Sequence, residues 1–358
     1  ETVSFKKHEY DFLDRLSFSA TSIYRPGHEQ EIAETFSYSN AGNILKAGND
    51  TYQYTDPRNV QAVQSIGTRS LTYDLDGQLE TELDLDERQW RSYEWDAAGC
   101  MTRVEQGNTL NDGPEIITER VCDSSGDRLY RKTTDRVKST TNRVIDFAKF
   151  AEIRPDDGVV LFRMPVNGSV VIEEARNTID GTRNEEESGY IHQDIRGSVL
   201  AKTSFTHDWT IPQVSAETEY DAWGNDYAVS GLDRPRHAFI NHEPDPGTGH
   251  YHFGKRVYDP SLRRWLSPDP LFLESPELDL EKGNQLNLYQ YAGNNPISFT
   301  DTSGLDARII IPVIIIAKLA KPLVKKGIKK LKKLLNKPNK PGTKPAPKGK
   351  KPKNGKKP

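Results

Sequence analysis

One short pattern recurs along the first two thirds of the chain and limits what it can fold into: an aromatic residue, then Gly four positions later, then an aliphatic two beyond that. It appears as Tyr38, Gly42, Ile44; as Tyr73, Gly77, Leu79; as Trp95, Gly99, Met101; and as Tyr220 with Gly224 in YDAWGN. The stretch Tyr10, Asp14, Leu16 fits with Asp in the glycine place, and DSSGDRL at Asp123 to Leu129 keeps all but the aromatic. Each unit spells a β-hairpin: an extended residue, a turn whose Gly, Asn or Asp tolerates positive φ, and a return strand. Six such units in one chain predict a repeat architecture of strand pairs.

Strand-like alternation fills the spaces between these turns, as in SLTYDLDGQLETELDLD and ERVCDSSGDRLYRKTT. Gly158 to Glu174 reads as two strands joined at Asn167-Gly168, the strongest two-residue hairpin signal. Helical periodicity is nearly absent before residue 306. Only 34% of residues are hydrophobic, so the strands should keep a wet face, and an exposed sheet protects its edges by closing or spiralling. A chain of 358 residues accommodates one large domain or two ordinary ones. It starts at Glu1 without a leader, which reads as a fragment or processed product whose address the sequence does not state.

The character of the chain changes at Leu305. From Asp306 onward there are 17 Lys and one Arg against one Asp, a charge of +17 that leaves −20 on the residues before it. An acidic body repels nucleic acid and anionic lipid, whereas the tail attracts both, and the tail and body attract each other. Ile309 to Ala317 is aliphatic but far shorter than the about 20 residues that cross a bilayer. Lys318 to Asn336 places Leu319, Leu323, Ile328, Leu331 and Leu335 at helical spacing among lysines, the pattern of a helix that binds anionic membrane surfaces. Lys337 to Pro358 is rich in Lys, Pro and Gly and predicts disorder. The tail holds no His, Cys or Ser, so a nuclease, deaminase or transferase centre is excluded there; its lysines contact nucleic acid only nonspecifically, through phosphate.

Elsewhere the chemistry-bearing residues are sparse. Cys100 and Cys122 are too few for a disulfide scaffold and read as reduced packing residues. His192, His207, His237, His242, His250 and His252 show no metal-ligand spacing; the pair in HYH at 250 to 252 reads as solvent-facing on one strand face, and no metal site or cofactor is expected. Arg263 and Arg264 read either as arginines that orient nearby carboxylates or as surface residues, with the surface preferred. Asp-Pro pairs such as Asp259-Pro260 and Asp269-Pro270 are in the first place turn formers.

The YD-type repeats, YIHQDIRGSVLAKT at Tyr190 to Thr203, YDAWGN, and all of Asn241 to Leu305 resemble the Rhs/YD-repeat family, in particular its repeat-associated core. The residues that stand in the family's order are Tyr220 and Gly224, then Gly249, Tyr251 and Phe253, Arg256, Tyr258, Asp259, Trp265, Ser267 and Asp269-Pro270. Asn287, Tyr289, Asn294, Asn295 and Pro296 follow, and Gly304 closes the series. The resemblance implies an all-β fold: a spiralling sheet strip of hairpins forming part of a shell (1–240), a core segment (241–305), an apolar and basic segment (306–336) and a disordered tail (337–358). It further implies self-cleavage by paired aspartates, here Asp269 and Asp301, with Leu305 before the cut. Two nearby carboxylates sharing a proton can divide the base and acid roles of peptide hydrolysis. The motif departs from the family at Thr302, where Pro is usual, and in the long stretch between Pro270 and Asn287.

Two functions follow from the resemblance. One is a toxin carrier, secreted or cell-surface, that encloses its own C-terminal segment as a membrane-active peptide, with an immunity protein and a secretion apparatus as partners. The other is a noncatalytic adhesion protein whose basic tail binds anionic surfaces.

Overall fold

The computed structural model describes residues 3–25, 28–110, 113–147, 150–166, 170–205, 213–230, 236–271, 287–305 and 308–309. Twenty strands, from Val3–Tyr10 to Asp226–Ser230, form one antiparallel sheet in which each strand pairs with the next in sequence. The fold is therefore all-β, a long strip of hairpins.

The repeat has a physical cause that the geometry makes plain. In seven hairpins the residue at the aromatic place pairs with the residue six positions on, with a register shift beside it: Tyr10 with Leu16, Tyr38 with Ile44, Tyr73 with Leu79, Trp95 with Met101, Cys122 with Arg128, Gln193 with Val199, and Tyr220 with Asp226. The fifth residue of each turn has positive φ, Gly in six cases and Asp14 in the first. In six of the seven the second residue is Asp, and one of its oxygens accepts two turn N–H groups, as Asp74 does from Asp76 and Gln78, and Asp123 from Ser125 and Asp127. Such side-chain capping satisfies donors that the sheet ladder leaves out. The turn at Gln193–Val199 obeys the same rule without an aromatic, which is why the aromatic-first pattern passes over it.

The strands Val159–Val166 and Val170–Asn177 pair as expected, to Val166 opposite Val170; Asn167-Gly168 itself lies outside the described residues. The cysteines differ from expectation. Cys100 and Cys122 are disulfide-bonded, with Cα atoms 6.2 Å apart. The register explains it: Arg103 faces Glu119 and Val104 faces Thr118, so counting outward along the two strands sets Cys100 opposite Cys122.

The core segment packs under the strip. Its aromatic residues Phe253, Tyr258, Trp265 and Tyr291 join Phe239, Trp223 and strand residues such as Leu16, Ile44, Leu79 and Met101 in one buried cluster. Strip turns meet this segment directly. Asn295 Nδ2 donates to the Asp14 carbonyl at 2.7 Å, Asn294 Nδ2 to Gly42 at 2.8 Å, and the Tyr289 hydroxyl to Gly77 at 2.7 Å. The Lys6 ammonium reaches Glu219 at 3.1 Å, so the first and nineteenth strands come within reach of one long side chain and the strip curls round.

Farther along the strip the buried face is charged. Arg120 pairs with Asp245, both side chains fully buried, and Glu243 binds Arg128, Arg131 and Arg236. The described residues all belong to one compact unit, Glu1–Ile310. Just beyond Leu305, the short strand Arg308–Ile309 pairs antiparallel with Phe299–Thr300. The rest of the tail, including Leu319, Leu323, Ile328, Leu331 and Leu335, lies outside the described residues.

Candidate active site

The two aspartates that the sequence separates are brought together by one arginine. Arg256, buried at 4% exposure, places Nη1 3.1 Å from Asp269 Oδ2 and Nη2 3.1 Å from Asp301 Oδ2. Its Nε donates to the carbonyl of Gly304 at 2.5 Å, and its guanidinium lies over the Trp265 ring, 4.3 Å from the centroid. A planar fork of fixed donors suits this simultaneous engagement in a way that an ammonium would not. The intervening residues 272–286 lie outside the described residues, and the two carboxylates reach Arg256 despite the length of that insertion.

Asp301 sits in the same kind of turn as the strip aspartates. Its Oδ1 accepts the N–H groups of Ser303, Gly304 and Leu305 at 3.1, 2.8 and 3.2 Å, and Gly304 has φ +75°. The sequence TDTSGL therefore folds as a variant of the repeat turn. What distinguishes it from the strip turns is the chemistry beside it, namely Arg256 and a second carboxylate. The two carboxylates are not equivalent: the Asp269 side chain is 18% exposed and that of Asp301 2%. Asp269 also accepts the Leu271 N–H at 2.9 Å. Thr302, in the place where Pro is usual, is exposed, while Gly304 is buried. A Cβ at Gly304 would lie 2.8 Å from the Arg256 nitrogen and 2.9 Å from the Phe253 oxygen, so close backbone approach requires glycine there.

The remaining motif residues build the support. Tyr258 is fully buried and donates to the Trp223 carbonyl at 2.8 Å; Tyr220 is buried; Gly224 lies against the Phe239 ring. Asn287 accepts from Arg264 at 2.9 Å and donates to the Ala41 carbonyl at 3.1 Å, and the Pro296 carbonyl accepts from Arg196 at 3.3 Å. These residues do not touch the two carboxylates; they tie the core segment to the strip.

Two expectations are corrected here. Arg263 and Arg264 are buried, not on the surface: Arg263 binds Glu34 at 2.7 Å and the Tyr52 hydroxyl at 3.1 Å, and Arg264 binds the Tyr54 hydroxyl at 3.0 Å. The HYH pair is also inward. His250 is fully buried, with Nε2 3.3 Å from Asp259 Oδ2, where Arg69 also approaches to 3.6 Å. Burial opposes the charge on Asp259, yet His250 and Arg69 hold its carboxyl far below the usual carboxylate range. His252 and His237 are pushed well below the ordinary histidine value, first by burial and then by neighbouring arginines: Arg120 and Arg128 around His252, Arg163 and Arg236 around His237.

Among the described residues, Glu82, His250 and Asp259 bring three metal-capable ligand atoms within 4.8 Å of one another. The donor set does not suit a cation. Glu82 already accepts Arg69 Nε at 2.8 Å, Arg91 Nη1 at 3.2 Å and the Tyr93 hydroxyl at 3.0 Å, so its carboxylate charge is already met by two guanidiniums. The sequence marked Arg256 as a motif residue but not as the link between the aspartates. No spacing could have shown it, because the link depends on where two turns 45 residues apart in the chain come to rest.

No family model matches the chain. The tRNA3(Ser)-specific nuclease WapA of Bacillus spizizenii is 23% identical over 290 residues, covering 79% of this chain and 11% of that protein. The toxin subunit YenC1 of Yersinia entomophaga is 26% identical over 294 residues, covering 75% of this chain and 28% of that protein. Among solved structures, the crystal structure of TcdB2-TccC3-TEV aligns with a TM-score of 0.43 at 16% identity, covering 84% of this chain and 18% of that one. The chain thus spans a small part of each of these longer proteins. At the coarse level that such similarity carries, the chain is related to the Rhs/YD-repeat toxin proteins.

Proposed function

We propose that residues 1–305 are the carrier portion of a toxin protein, secreted or displayed at the cell surface, and that the core segment cuts its own chain after Leu305. The observation that supports this reading is the Arg256 guanidinium, which joins Asp269 and Asp301 over a turn ending at Leu305. The two aspartates take different parts. Asp269, the more exposed, is the carboxylate a water can reach and is assigned as the base. Asp301 spends one oxygen on three turn N–H groups and the other on Arg256, so it shapes the peptide to be cut. This departs from the shared-proton scheme implied by the resemblance, because a cation lies against both carboxylates.

The hydrolysis is written as follows. Water oxygen attacks the Leu305 carbonyl carbon as its proton passes to Asp269. The bond from that carbon to the Asp306 nitrogen breaks, and Asp269 returns the proton to the departing amine. The products are a carboxylic acid at Leu305 and an amine at Asp306, and the second water proton then passes from acid to amine to leave a carboxylate and an ammonium. The freed segment, by its basic amphipathic pattern, is assigned as a membrane-active peptide.

The test is the intact mass of the purified chain beside Asp269→Asn and Asp301→Asn, under native and denaturing conditions. A wild-type break after Leu305 that both variants abolish supports self-cleavage. A wild-type chain that stays whole removes the enzymatic assignment and leaves a strip with a permanently attached basic tail, as an adhesion protein would have.

A further inference from the structure

The geometry points to the strip turn Cys122–Arg128 as a positioning element for the cut after Leu305, with Gly126 and Lys255 as its positioning residues. For its effect on rate, this inference rests on the self-cleavage reading above. Its structural content stands apart from that reading.

Residues 253–256 form a thin layer between two turns. On one side is the strip turn. Gly126 has φ +83°, and a Cβ there would lie 2.5 Å from the Gly254 carbonyl oxygen, 2.7 Å from its carbon and 3.1 Å from Lys255 Cα. All three are backbone atoms, so no side-chain rotation can make room. The Lys255 ammonium reaches across to the Ser124 carbonyl at 2.7 Å, tying the layer to the same turn. On the other side is the turn that ends at Leu305. There the Lys255 N–H donates to the Ser303 carbonyl at 3.2 Å, and the Phe253 oxygen and Arg256 nitrogen press on Gly304.

The next residue in this layer is Arg256, which holds both aspartates and the Gly304 carbonyl. A displacement that begins at Gly126 therefore reaches the guanidinium and the cleavage turn together, within one backbone segment. Reacting groups lose about 100-fold in rate for a misplacement of about 1 Å. The strip thus does more than surround the core segment: one of its repeat turns sets the height of the layer that carries the arginine. Neither Gly126 nor Lys255 is bonded to the aspartates; each acts through the 253–256 layer, which carries Arg256 and holds the Ser303 carbonyl.

The experiment uses the full chain. Gly126→Ala, Lys255→Met and Lys255→Arg are compared with wild type for the rate of appearance of the fragment ending at Leu305. Far-UV circular dichroism and melting temperature check that the strip is folded. The first two variants are expected to slow cleavage by about 10- to 100-fold, and Lys255→Arg to recover most of the rate, since it restores the donor to Ser124. In parallel, Gly126→Ala is placed in the Asp269→Asn chain, and amide exchange is followed at Gly304 and Leu305. Faster exchange there, with unchanged exchange in Thr140–Phe147, is the expected result. If wild type does not cleave but the exchange coupling is present, the cleavage reading falls and the positioning contact stands. Unchanged exchange at Gly304 and Leu305 overturns the inference, as does a Gly126→Ala chain that cleaves at the wild-type rate.

Discussion

At the scale of single residues, His237 and His252 make the stability of this protein depend on acid. Both are neutral in the folded chain because burial and nearby arginines depress them below the ordinary value of 6.5. The unfolded chain binds protons there and the folded one does not, so stability is present above that value and lost as the pH falls through it. Glu152 runs the other way. Burial pushes its carboxyl up to about 7, so its contribution is present at acid pH and lost as the pH rises through that value. Thermal melts from about pH 8 to about pH 5 should show a steeper loss on the acid side in wild type than in His237→Gln combined with His252→Gln. Equal slopes would mean that the two imidazoles are not held neutral. The sequence hid this environment. The HYH alternation suggests one face for His250 and His252, but the strand Tyr251–His252 is too short for alternation to say which face is wet. Partners as distant as Arg120 and Asp259 settled it.

At the scale of elements, the hairpin turn is the unit that the sequence displays most openly. Aromatic, Asp, Gly and aliphatic each answer to one requirement: pairing at the strand end, capping of two N–H groups, positive φ, and burial. Cys100 and Cys122 were legible only with the strand register in hand, because nothing in their spacing of 22 says that they face each other. Closing a loop of that length stabilises a folded chain by roughly 3 kcal/mol. Urea unfolding of wild type against a Cys100→Ser, Cys122→Ser double variant should show a lower midpoint in the variant, and reductant should bring wild type to the same place. A midpoint unmoved by either change would mean that the bond adds nothing to the folded state. The charge of Arg263 and Arg264 misled in the same manner. Long cations are usually outside, and only the phenol and carboxylate partners on other strands bring them in.

At the scale of the whole described unit, what holds the strip to its core segment is partly ionic and fully desolvated. Asp245 and Arg120 are the clearest case, and removing one partner of such a pair leaves a buried charge alone. Asp245→Ala should therefore cost about 3–5 kcal/mol in denaturant unfolding, far more than a change at the exposed pair Lys7–Glu9. A loss below about 1 kcal/mol, the worth of an exposed pair, would show that Arg120 finds another partner or water. Repeat periodicity and the low apolar content made the strip architecture readable from sequence, and the core motif named Asp269 and Asp301, which both lie against Arg256. What periodicity cannot carry is the docking of turns onto the core segment, since that depends on curvature accumulated over many strands. The strand Arg308–Ile309 lies past Leu305, the proposed cleavage position, yet pairs with Phe299–Thr300 before it. A nicked chain would thus keep both ends laced together by backbone hydrogen bonds, so severing the peptide bond and parting the pieces become two events with separate triggers.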